Sequence, residues 1–243
     1  CFFMFKYFSK NTIYAVFLKK YLLVFKRLLS YIIPINLLKV NSELSQTLEV
    51  TLVNGELVLD SKNTNYSYGS LQRILRHGLK KIGFSQIEPM QEILVLGVAG
   101  GSVIKTLVNE IKCKGQITGI ELDEKVIQLA NDYFQLNAIK NLKILQGDAF
   151  EFVLRTKKQY DLIIVDVFQD TLMPAFLFET YFQDRVFSLL NNNGYLLFNT
   201  MLLNEADDVR NKKYINHFET KKGILQIIPR VEDHNELIVF QKK

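Results

Sequence analysis

The feature of this sequence that most constrains its fold is a regular alternation of short apolar runs and amphipathic segments, which begins near residue 92. Each apolar run has the length of one buried strand, and helical patterns separate the first five runs. Short apolar strands that alternate with helices indicate a parallel sheet with helices on both faces. The predicted strands are 93–96, 116–120, 142–145, 162–165, 195–198, 224–228 and 236–241, and the predicted helices between the first five are 102–112, 124–136, 148–156 and 174–190.

The last predicted strand differs from the others in its connection. Only the segment 230–235 joins it to the strand before it, and this segment is too short for the right-handed crossover that parallel neighbours need. The last strand should therefore run antiparallel. The predicted fold class is α/β, with a doubly wound, seven-stranded and mostly parallel sheet.

A second, smaller β element precedes the sheet. Residues 47–60 contain two alternating apolar runs joined by Asn54-Gly55, and both turn residues tolerate the positive φ angles of a tight hairpin. A helix is predicted over 69–82. We divide the chain into an N-terminal extension (1–44), a small β lobe with its linking helix (45–84) and a large α/β domain (85–243).

The basic charge of the chain is confined to its front. The formal net charge is +5, but the first 40 residues hold seven Lys and Arg side chains and no acid. The other 203 residues hold 23 basic and 25 acidic side chains, so the body is slightly acidic. Because the body also shows no basic stripe with interleaved aromatics, no nucleic-acid partner is expected.

The front segment is also apolar, and its role stays open. Its longest uncharged run, 28–38, is interrupted by Pro34, so a membrane-spanning helix is not expected, and a signal peptide is not expected either. Three hypotheses remain: residues 1–40 lie on an anionic membrane surface, they pack on the body or on the second subunit of a homodimer, or about the first 25 residues are not native. The expected location is the cytoplasm, either free or peripheral to a membrane.

Metal and disulfide chemistry are not expected. The two cysteines, Cys1 and Cys113, cannot form a disulfide framework, and no CxxC pair is present. The three histidines are too widely spaced in the sequence to suggest a histidine-based metal site.

Glycines and an acid follow the first two strands, at the sheet edge where ligands of such folds bind. Gly97, Gly100 and Gly101 come directly after the strand 93–96, and glycine there permits a tight turn and a close approach of backbone to ligand. Glu121 ends the next strand, 24 residues after Gly97, which is near the spacing of an acid that binds ribose hydroxyls. A plain strand-to-helix turn and a helix-capping acid are the alternatives.

Two further aspartates follow the third and fourth strands. Asp148, followed by Ala149, can accept a hydrogen bond from an adenine amino group, with the alanine leaving room for the ring. Capping of the helix 148–156 explains Asp148 nearly as well. Asp166 closes the fourth strand, where it can act as a general base or as an orienting acceptor. A solvated aspartate at the strand end is the alternative for Asp166.

Four segments together resemble one known family. They are ILVLGVAGGSVIKTL, ITGIELDEKVIQLANDYF, LQGDAFEFV and YDLIIVDVF. Over about residues 45–200 the chain resembles the spermidine synthase-like branch of the class I S-adenosylmethionine-dependent methyltransferase superfamily. The resemblance implies a Rossmann-like class I methyltransferase fold, with S-adenosylmethionine or its decarboxylated form as co-substrate and no metal.

The resemblance also implies roles for the acids and glycines. Gly97, Gly100 and Gly101 would contact the amino-acid end of the sulfonium nucleoside. Glu121 would hold the ribose, Asp148 with Ala149 would hold the adenine, and Asp166 would face the reaction centre. The segment DVFQDTLMP, which contains Gln169 and Asp170, resembles the gate that closes over the substrate.

The chain departs from the aminopropyltransferase pattern at three places. Gly100 occupies the place of an acid in the glycine loop, and Asp170 lies one residue too far from Asp166 for the D-x-x-D-P pattern. Tyr68 matches the family's tyrosine, but Gly69 and Ser70 replace the polar pair that follows it.

The charge of the linking region bears on the acceptor. A diamine needs carboxylates to hold it, but no acid lies between Asp60 and Glu88, where the cationic or titratable side chains are Lys62, Arg73, Arg76, His77, Lys80 and Lys81. The expected function is therefore methyl transfer to a neutral or anionic small molecule. Asp166, Tyr68 and Asp170 are the candidate catalytic residues, and Tyr66 and Gln169 the candidate acceptor-pocket residues. The alternatives are a polyamine aminopropyltransferase and a non-catalytic binding or scaffold protein.

Overall fold

The computed structural model describes residues 22, 24–61, 65–67, 69–169, 172–232 and 234–243, with backbone alone for 65–67 and Ser70. Within that part of the chain, seven strands form one sheet in the order β10-β11-β9-β8-β5-β6-β7. The strands of this sheet are β5 (Glu92–Leu96), β6 (Gln116–Glu121), β7 (Leu142–Gln146), β8 (Tyr160–Val165), β9 (Leu190–Met201), β10 (Gly223–Val231) and β11 (Asn235–Lys242).

The sheet confirms the predicted fold class. Strands β5 to β9 pair in parallel, whereas β11 lies between β9 and β10 and is antiparallel to both. The chain proceeds from β5 to β6 and β7 on one side and then returns to β8 on the other side of β5. The order of strands thus reverses at β5, and a crevice is expected at the carboxyl ends of β5 and its neighbours.

Helices cover both faces of the sheet, and the central strands are buried. Four successive residues of β5, from Ile93 to Leu96, have no exposed surface. The helices are α1 (Ser70–Ile82), α2 (Ser102–Lys105, continued by a π-helical turn Thr106–Glu110), α3 (Glu124–Phe134), α4 (Ala149–Arg155), α5 (Thr180–Leu189) and α6 (Glu205–Glu219).

Two helical predictions need correction. The helix predicted over 174–190 is divided into a short 3-10 turn, Ala175–Phe178, and α5, because Glu179 between them is extended. Helix α6 was not predicted at all. It is rich in charged residues and buries only Asn211, Tyr214 and Phe218, so its sequence shows little apolar periodicity.

The small lobe is an antiparallel sheet of four strands, β1-β2-β3-β4. These strands are β1 (Ile35–Ser42), β2 (Gln46–Val53), β3 (Glu56–Ser61) and β4 (Asn65–Ser67). The predicted hairpin is present as β2 and β3, and its turn residues Asn54 and Gly55 have φ angles of 50° and 77°. Strand β1 pairs with β2, although the sequence pattern had placed its residues in the N-terminal extension.

The lobe packs on helix α3. Leu48, Val50 and Leu59 form a buried cluster with Val126 and Phe134 of this helix. A second tie is polar: Asp123, which caps α3, accepts hydrogen bonds from the hydroxyls of Ser42 and Ser45 in the lobe, the latter at 2.6 Å. Apolar packing and one buried carboxylate therefore hold the lobe on the large domain.

The part of the front segment that the structure describes is helical over 24–29. Several of its large apolar side chains are exposed, among them Phe25, Leu28 and Ile32. Among the described residues, no helix combines the length and the apolar character needed to cross a membrane. Residues 1–21, on which much of the membrane-surface hypothesis rests, lie outside the described part.

Candidate functional site

A cavity of about 620 Å³ lies at the carboxyl ends of the central strands. Gly97, Glu121, Asp166 and Asn199, which line it, end or follow β5, β6, β8 and β9. The lobe contributes Leu44 and Ser45, and α1 contributes Leu71 and Ile74. The cavity is therefore the crevice that the strand order predicts, closed on one side by the lobe and α1.

The glycine loop contributes to this cavity mainly through its first residue. Gly97 has a φ angle of +84°, and a Cβ atom at this position would lie 2.1 Å from the carbonyl oxygen of Asp166. Only glycine fits here. Gly101 has a φ angle of +77° and precedes α2, where a Cβ atom would meet Leu136. Neither Gly100 nor Gly101 lines the cavity, so their contact with a ligand stays a prediction.

Glu121 lies in the cavity wall and binds the glycine loop. Its Oε2 accepts hydrogen bonds from the backbone N–H groups of Val98 (3.1 Å) and Ala99 (3.0 Å), and its Oε1 accepts one from Asp123 N–H (3.1 Å). Burial raises the pKa of this carboxyl, although these three donors oppose the effect. Each carboxylate oxygen has two lone pairs, so Oε1 of Glu121 keeps one acceptor position for a ribose hydroxyl, and binding of both hydroxyls stays a prediction.

Asp148 combines the two predicted alternatives. Its Oδ1 accepts a hydrogen bond from Phe150 N–H at 2.6 Å, which is the geometry of a helix N-cap. Asp148 and the buried Ala149 also line the cavity. Capping fixes the side chain and leaves a second carboxylate oxygen, so both readings of Asp148 are compatible with its position.

Asp166 directly follows β8 and lies at the switch point. Its Oδ1 accepts a hydrogen bond from Asn199 Nδ2 at 2.9 Å, and Asn199 Oδ1 in turn accepts one from Asn235 Nδ2 at 2.9 Å. The pKa of Asp166 is raised to about 6, because burial and the charge of Glu121 raise it by more than the Asn199 hydrogen bond lowers it. A carboxyl with this pKa is ionised at pH 7 yet near its titration range.

The gate segment is only partly described. Gln169 and Leu172 exchange two backbone hydrogen bonds of 2.8 and 3.0 Å. Gln169 lines the cavity, and its contact with an acceptor stays a prediction. Asp170 and Tyr68 lie outside the described residues, and Tyr66 is described only as backbone in β4. Their predicted roles stay predictions.

Several cavity residues were missed by the sequence interpretation. Among the polar ones are Asn199 and Asn235, which are hydrogen-bonded to one another, and Glu232 and His234 in the turn between β10 and β11. Asn199 is a polar residue at the carboxyl end of an apolar strand. The same rule that identified Asp166 would have found it. The other three depend on β11 lying beside β9, which the sequence alone does not specify.

The described cations of the linking region do not line the cavity. Arg73 forms a bidentate ion pair with Glu232 (2.6 and 2.9 Å), and Arg76 is paired with Glu110. Among the described lining residues there is no Lys or Arg, and the carboxylates are Glu121, Asp123, Asp148, Asp166 and Glu232. The argument from local charge for a neutral or anionic acceptor therefore loses its basis, because Arg73 and Arg76 are neutralised by Glu232 and Glu110 and no described cation of α1 lines the cavity. Nor do the described residues include a cluster of His, Cys, Asp and Glu that could hold a metal ion.

Comparison with known proteins supports the same family as the sequence motifs. A polyamine aminopropyltransferase from Vibrio vulnificus is 29% identical over 131 residues, which cover 53% of this chain and 44% of that protein. The chain thus spans less than half of the length of this curated relative.

Solved structures agree on the fold. A spermidine synthase from Thermotoga maritima has a TM-score of 0.63 at 16% identity, over 86% of this chain and 73% of that one. Human methyltransferase-like protein 13, in complex with SAH, has a TM-score of 0.61 at 18% identity, over 72% of this chain and 83% of that one. At such low identity these likenesses show the fold alone, which is the Rossmann-like class I methyltransferase fold.

The family model described as the spermine/spermidine synthase domain matches residues 73–224, which is more than half of the chain. The matched stretch contains the glycine loop, Glu121, Asp148 and Asp166. The chain therefore belongs to the spermine/spermidine synthase domain family.

Proposed function

We propose that this protein transfers an aminopropyl group from decarboxylated S-adenosylmethionine to an amine of the polyamine class. Membership of the spermine/spermidine synthase domain family supports a transferase, and the Vibrio relative carries the name polyamine aminopropyltransferase. The observation that carries the proposal is the charge of the cavity. The described lining includes five carboxylates and neither Lys nor Arg, and only one of the five, Glu232, is paired with a cation, Arg73. This surplus of carboxylates suits a sulfonium donor and a cationic acceptor.

The proposed reaction needs an amine held beside the sulfonium. The lone pair of the acceptor nitrogen forms a bond to the methylene carbon next to sulfur, and the electrons of the C–S bond stay on sulfur. The products are the aminopropylated amine and a neutral thioether nucleoside. The attacking nitrogen becomes more acidic as the bond forms, and the carboxylate of Asp166 accepts its proton.

The donor site is assigned from the wall that β6 and β7 provide. Glu121 would bind the ribose hydroxyls, and Asp148 with Ala149 would bind the adenine. Gly97 allows the backbone to approach the reacting end closely. The protein's contribution is mainly alignment, because the sulfonium carbon is already activated.

A direct assay tests this proposal. The full chain is incubated with decarboxylated S-adenosylmethionine and, in separate reactions, putrescine, cadaverine and spermidine, and the products are identified by mass spectrometry. We expect an acceptor that is heavier by one aminopropyl group, together with methylthioadenosine. Absence of both products with every amine, in protein shown to bind the donor by calorimetry, would overturn the proposal.

Methyl transfer is the second candidate, and one observation favours it. Gly100 stands where aminopropyltransferases carry an acid in the glycine loop, so the loop lacks a carboxylate that distinguishes the decarboxylated donor. The same assay with S-adenosylmethionine decides between the two. Formation of S-adenosylhomocysteine and a methylated acceptor would replace the first proposal by this one.

A further inference from the structure

We propose that Asn199 is a positioning residue that fixes the Asp166 carboxylate for proton transfer, and that Asn235 fixes Asn199 in turn. The inference rests on the proposed function insofar as Asp166 is the proton acceptor of the reaction. Neither asparagine belongs to a sequence motif of the candidate site, and both would act on the reaction only through Asp166.

The three side chains form a row across the sheet. Asp166 follows β8, Asn199 lies in β9 and Asn235 begins β11, and these strands are neighbours in the order β8-β9-β11. The two hydrogen bonds along the row are both 2.9 Å long. Asn199 has no exposed surface and Asn235 is 7% exposed, so water does not compete freely for these groups.

The row has one consistent direction of hydrogen bonding. An asparagine amide donates through nitrogen and accepts through oxygen. Because Asn235 Nδ2 donates to Asn199 Oδ1, the nitrogen of Asn199 must point to Asp166. A reversed Asn199 would place its oxygen against the carboxylate of Asp166 and its nitrogen against the nitrogen of Asn235. The ionised carboxylate of Asp166 only accepts and so requires the nitrogen of Asn199, and the hydrogen bond from Asn235 Nδ2 to Asn199 Oδ1 holds the amide in this orientation.

This orientation has a chemical consequence. The Asn199 donor uses one oxygen of Asp166 and favours its ionised form, which opposes the effect of burial on its pKa. Glu121 from β6 is the charge that acts on Asp166, and Glu232 and His234 line the same cavity at the turn before β11. With Oδ1 held, the carboxylate plane is fixed and Oδ2 is left for the reacting amine. Without Asn199, Asp166 would hold its proton to a higher pH and turn more freely.

The structure offers a matched control at the other end of the same strands. Asn191, also in β9, donates its Nδ2 to Oδ1 of Asp161 in β8 at 2.7 Å. This pair has the same chemistry and connects the same two strands, but neither residue lines the cavity. Asn191→Ala therefore removes an equivalent hydrogen bond away from the candidate site.

The test compares Asn199→Ala, Asn235→Ala and Asn191→Ala with the unchanged full chain. The first readout is the ionisation of Asp166 in ligand-free protein, followed by ¹³C NMR of labelled aspartate and assigned with Asp166→Asn. The second is the pH profile of kcat/KM. In Asn199→Ala we expect the Asp166 titration and the acidic limb of the profile to move up by about one pH unit. We expect a smaller upward movement in Asn235→Ala and none in Asn191→Ala.

Each outcome has a defined meaning. If Asn199→Ala folds and neither readout moves, the inference is wrong. If Asn199→Ala does not fold, Asn235→Ala decides, and an unmoved titration in that variant overturns the inference. If the titration moves but the unchanged protein transfers no group, the positioning role is supported and the proposed function alone fails. Equal movement in Asn191→Ala would show a general effect of strand packing and would overturn the inference.

Discussion

Strand β8 carries an aspartate at each end, and the two differ in what surrounds them. Asp161, near the start, and Asp166, just after the end, each accept a hydrogen bond from an asparagine of β9. Burial acts to raise the pKa of Asp161, but the Asn191 amide and the N–H groups of Glu92 and Gln91 outweigh it and lower the pKa overall. At Asp166 burial prevails and the pKa is raised to about 6.

The comparison shows that one asparagine donor does not decide the state of a carboxyl. Asp161 has three donors, because Gln91 N–H (2.8 Å) and Glu92 N–H (3.0 Å) join Asn191 and tie β8 to the start of β5. Asp166 faces the charge of Glu121 and has its hydrogen bond from Asn199. The first arrangement favours the ionised carboxylate and ties two strands together, whereas the second leaves a carboxyl near its titration range, as the proposed proton transfer requires.

The largest effect is expected when each aspartate is replaced by asparagine and activity is measured. Asp166→Asn should reduce kcat about 100-fold or more, because the amide cannot accept a proton from the amine. Asp161→Asn should keep kcat within about threefold of the value for the unchanged protein. Asp161 lies near the amino end of β8, away from the cavity, and only its hydrogen bonds change. Steady-state kinetics with the donor and acceptor identified above measure both. A similar loss of kcat in the two variants would contradict the proposed difference in function between Asp166 and Asp161.

A substitution at Gly97 should disturb the backbone at the end of β8 without changing any side chain of that strand. Gly97→Ala forces a side chain into a left-handed backbone and against the Asp166 carbonyl, and should cost about 3 kcal/mol of unfolding free energy. Gly147→Ala is the matched change after β7, where a Cβ atom meets nothing within 4 Å, and should cost less than about 1 kcal/mol. Urea unfolding of both variants is the measurement. Equal unfolding free energies of the two variants would show that the close approach of Gly97 to the Asp166 carbonyl does not require glycine.

The pH dependence of stability should have opposite signs for the two aspartates. The pKa of Asp166 is raised from 3.8 to about 6, so its ionised form lowers stability above about pH 6, and this cost disappears as the pH falls towards 4. Asp166→Asn should therefore be more stable than the unchanged protein at pH 7.5, by about 2 kcal/mol, with a smaller gain at pH 4.5.

Asp161 gives the reverse expectation. Because its pKa is lowered, its contribution is present above its unfolded pKa and is lost as the pH falls through its folded pKa. Asp161→Asn should be less stable at pH 7.5 by about 1 kcal/mol. Urea titrations at the two pH values test both variants, and changes of the same sign would contradict the contrast between the two ends.

The smallest effect is expected at ion pairs near the two ends of the sheet. Glu232, at the cavity, pairs with Arg73, and Glu92, at the start of β5, pairs with Lys158. Glu232→Gln should raise KM for a cationic acceptor about two- to fivefold with little change in kcat, since an exposed carboxylate contributes modestly. Glu92→Gln should leave KM unchanged. An equal rise in KM for Glu92→Gln would show that the acceptor responds to the net charge of the protein and not to a carboxylate at the cavity.

Much of the fold could be predicted because apolar strands leave a direct signal in the sequence. The runs around Ile93, Ile117 and Ile163 identified the parallel sheet, and Asn54-Gly55 identified the hairpin. Strand β1 was missed because it directly follows Pro34 and continues the apolar, basic front segment, so its residues were assigned to the N-terminal extension. Helix α6 was missed because few of its residues are buried.

Less of the candidate site could be predicted, for reasons of geometry. Residues that end predicted strands, such as Glu121 and Asp166, were found because carboxyl ends of parallel strands share one edge. Asn235 could not be found in this way, because it starts an antiparallel strand whose neighbour is set by tertiary packing. The charge argument failed because Arg73 and Arg76 are paired with Glu232 and Glu110, and the sequence gives the sign of a side chain but not its partner.

The link between Asp123 and the serines of the lobe has a consequence for protein engineering. One buried carboxylate caps α3, lines the cavity and accepts the hydroxyls of Ser42 and Ser45. A chimera that received its lobe from a relative would need hydroxyl groups at these two positions, because otherwise a desolvated carboxylate would lose two donors. The lobe is therefore not a freely exchangeable module, and its contact with α3 and the cavity wall has to be designed together with it.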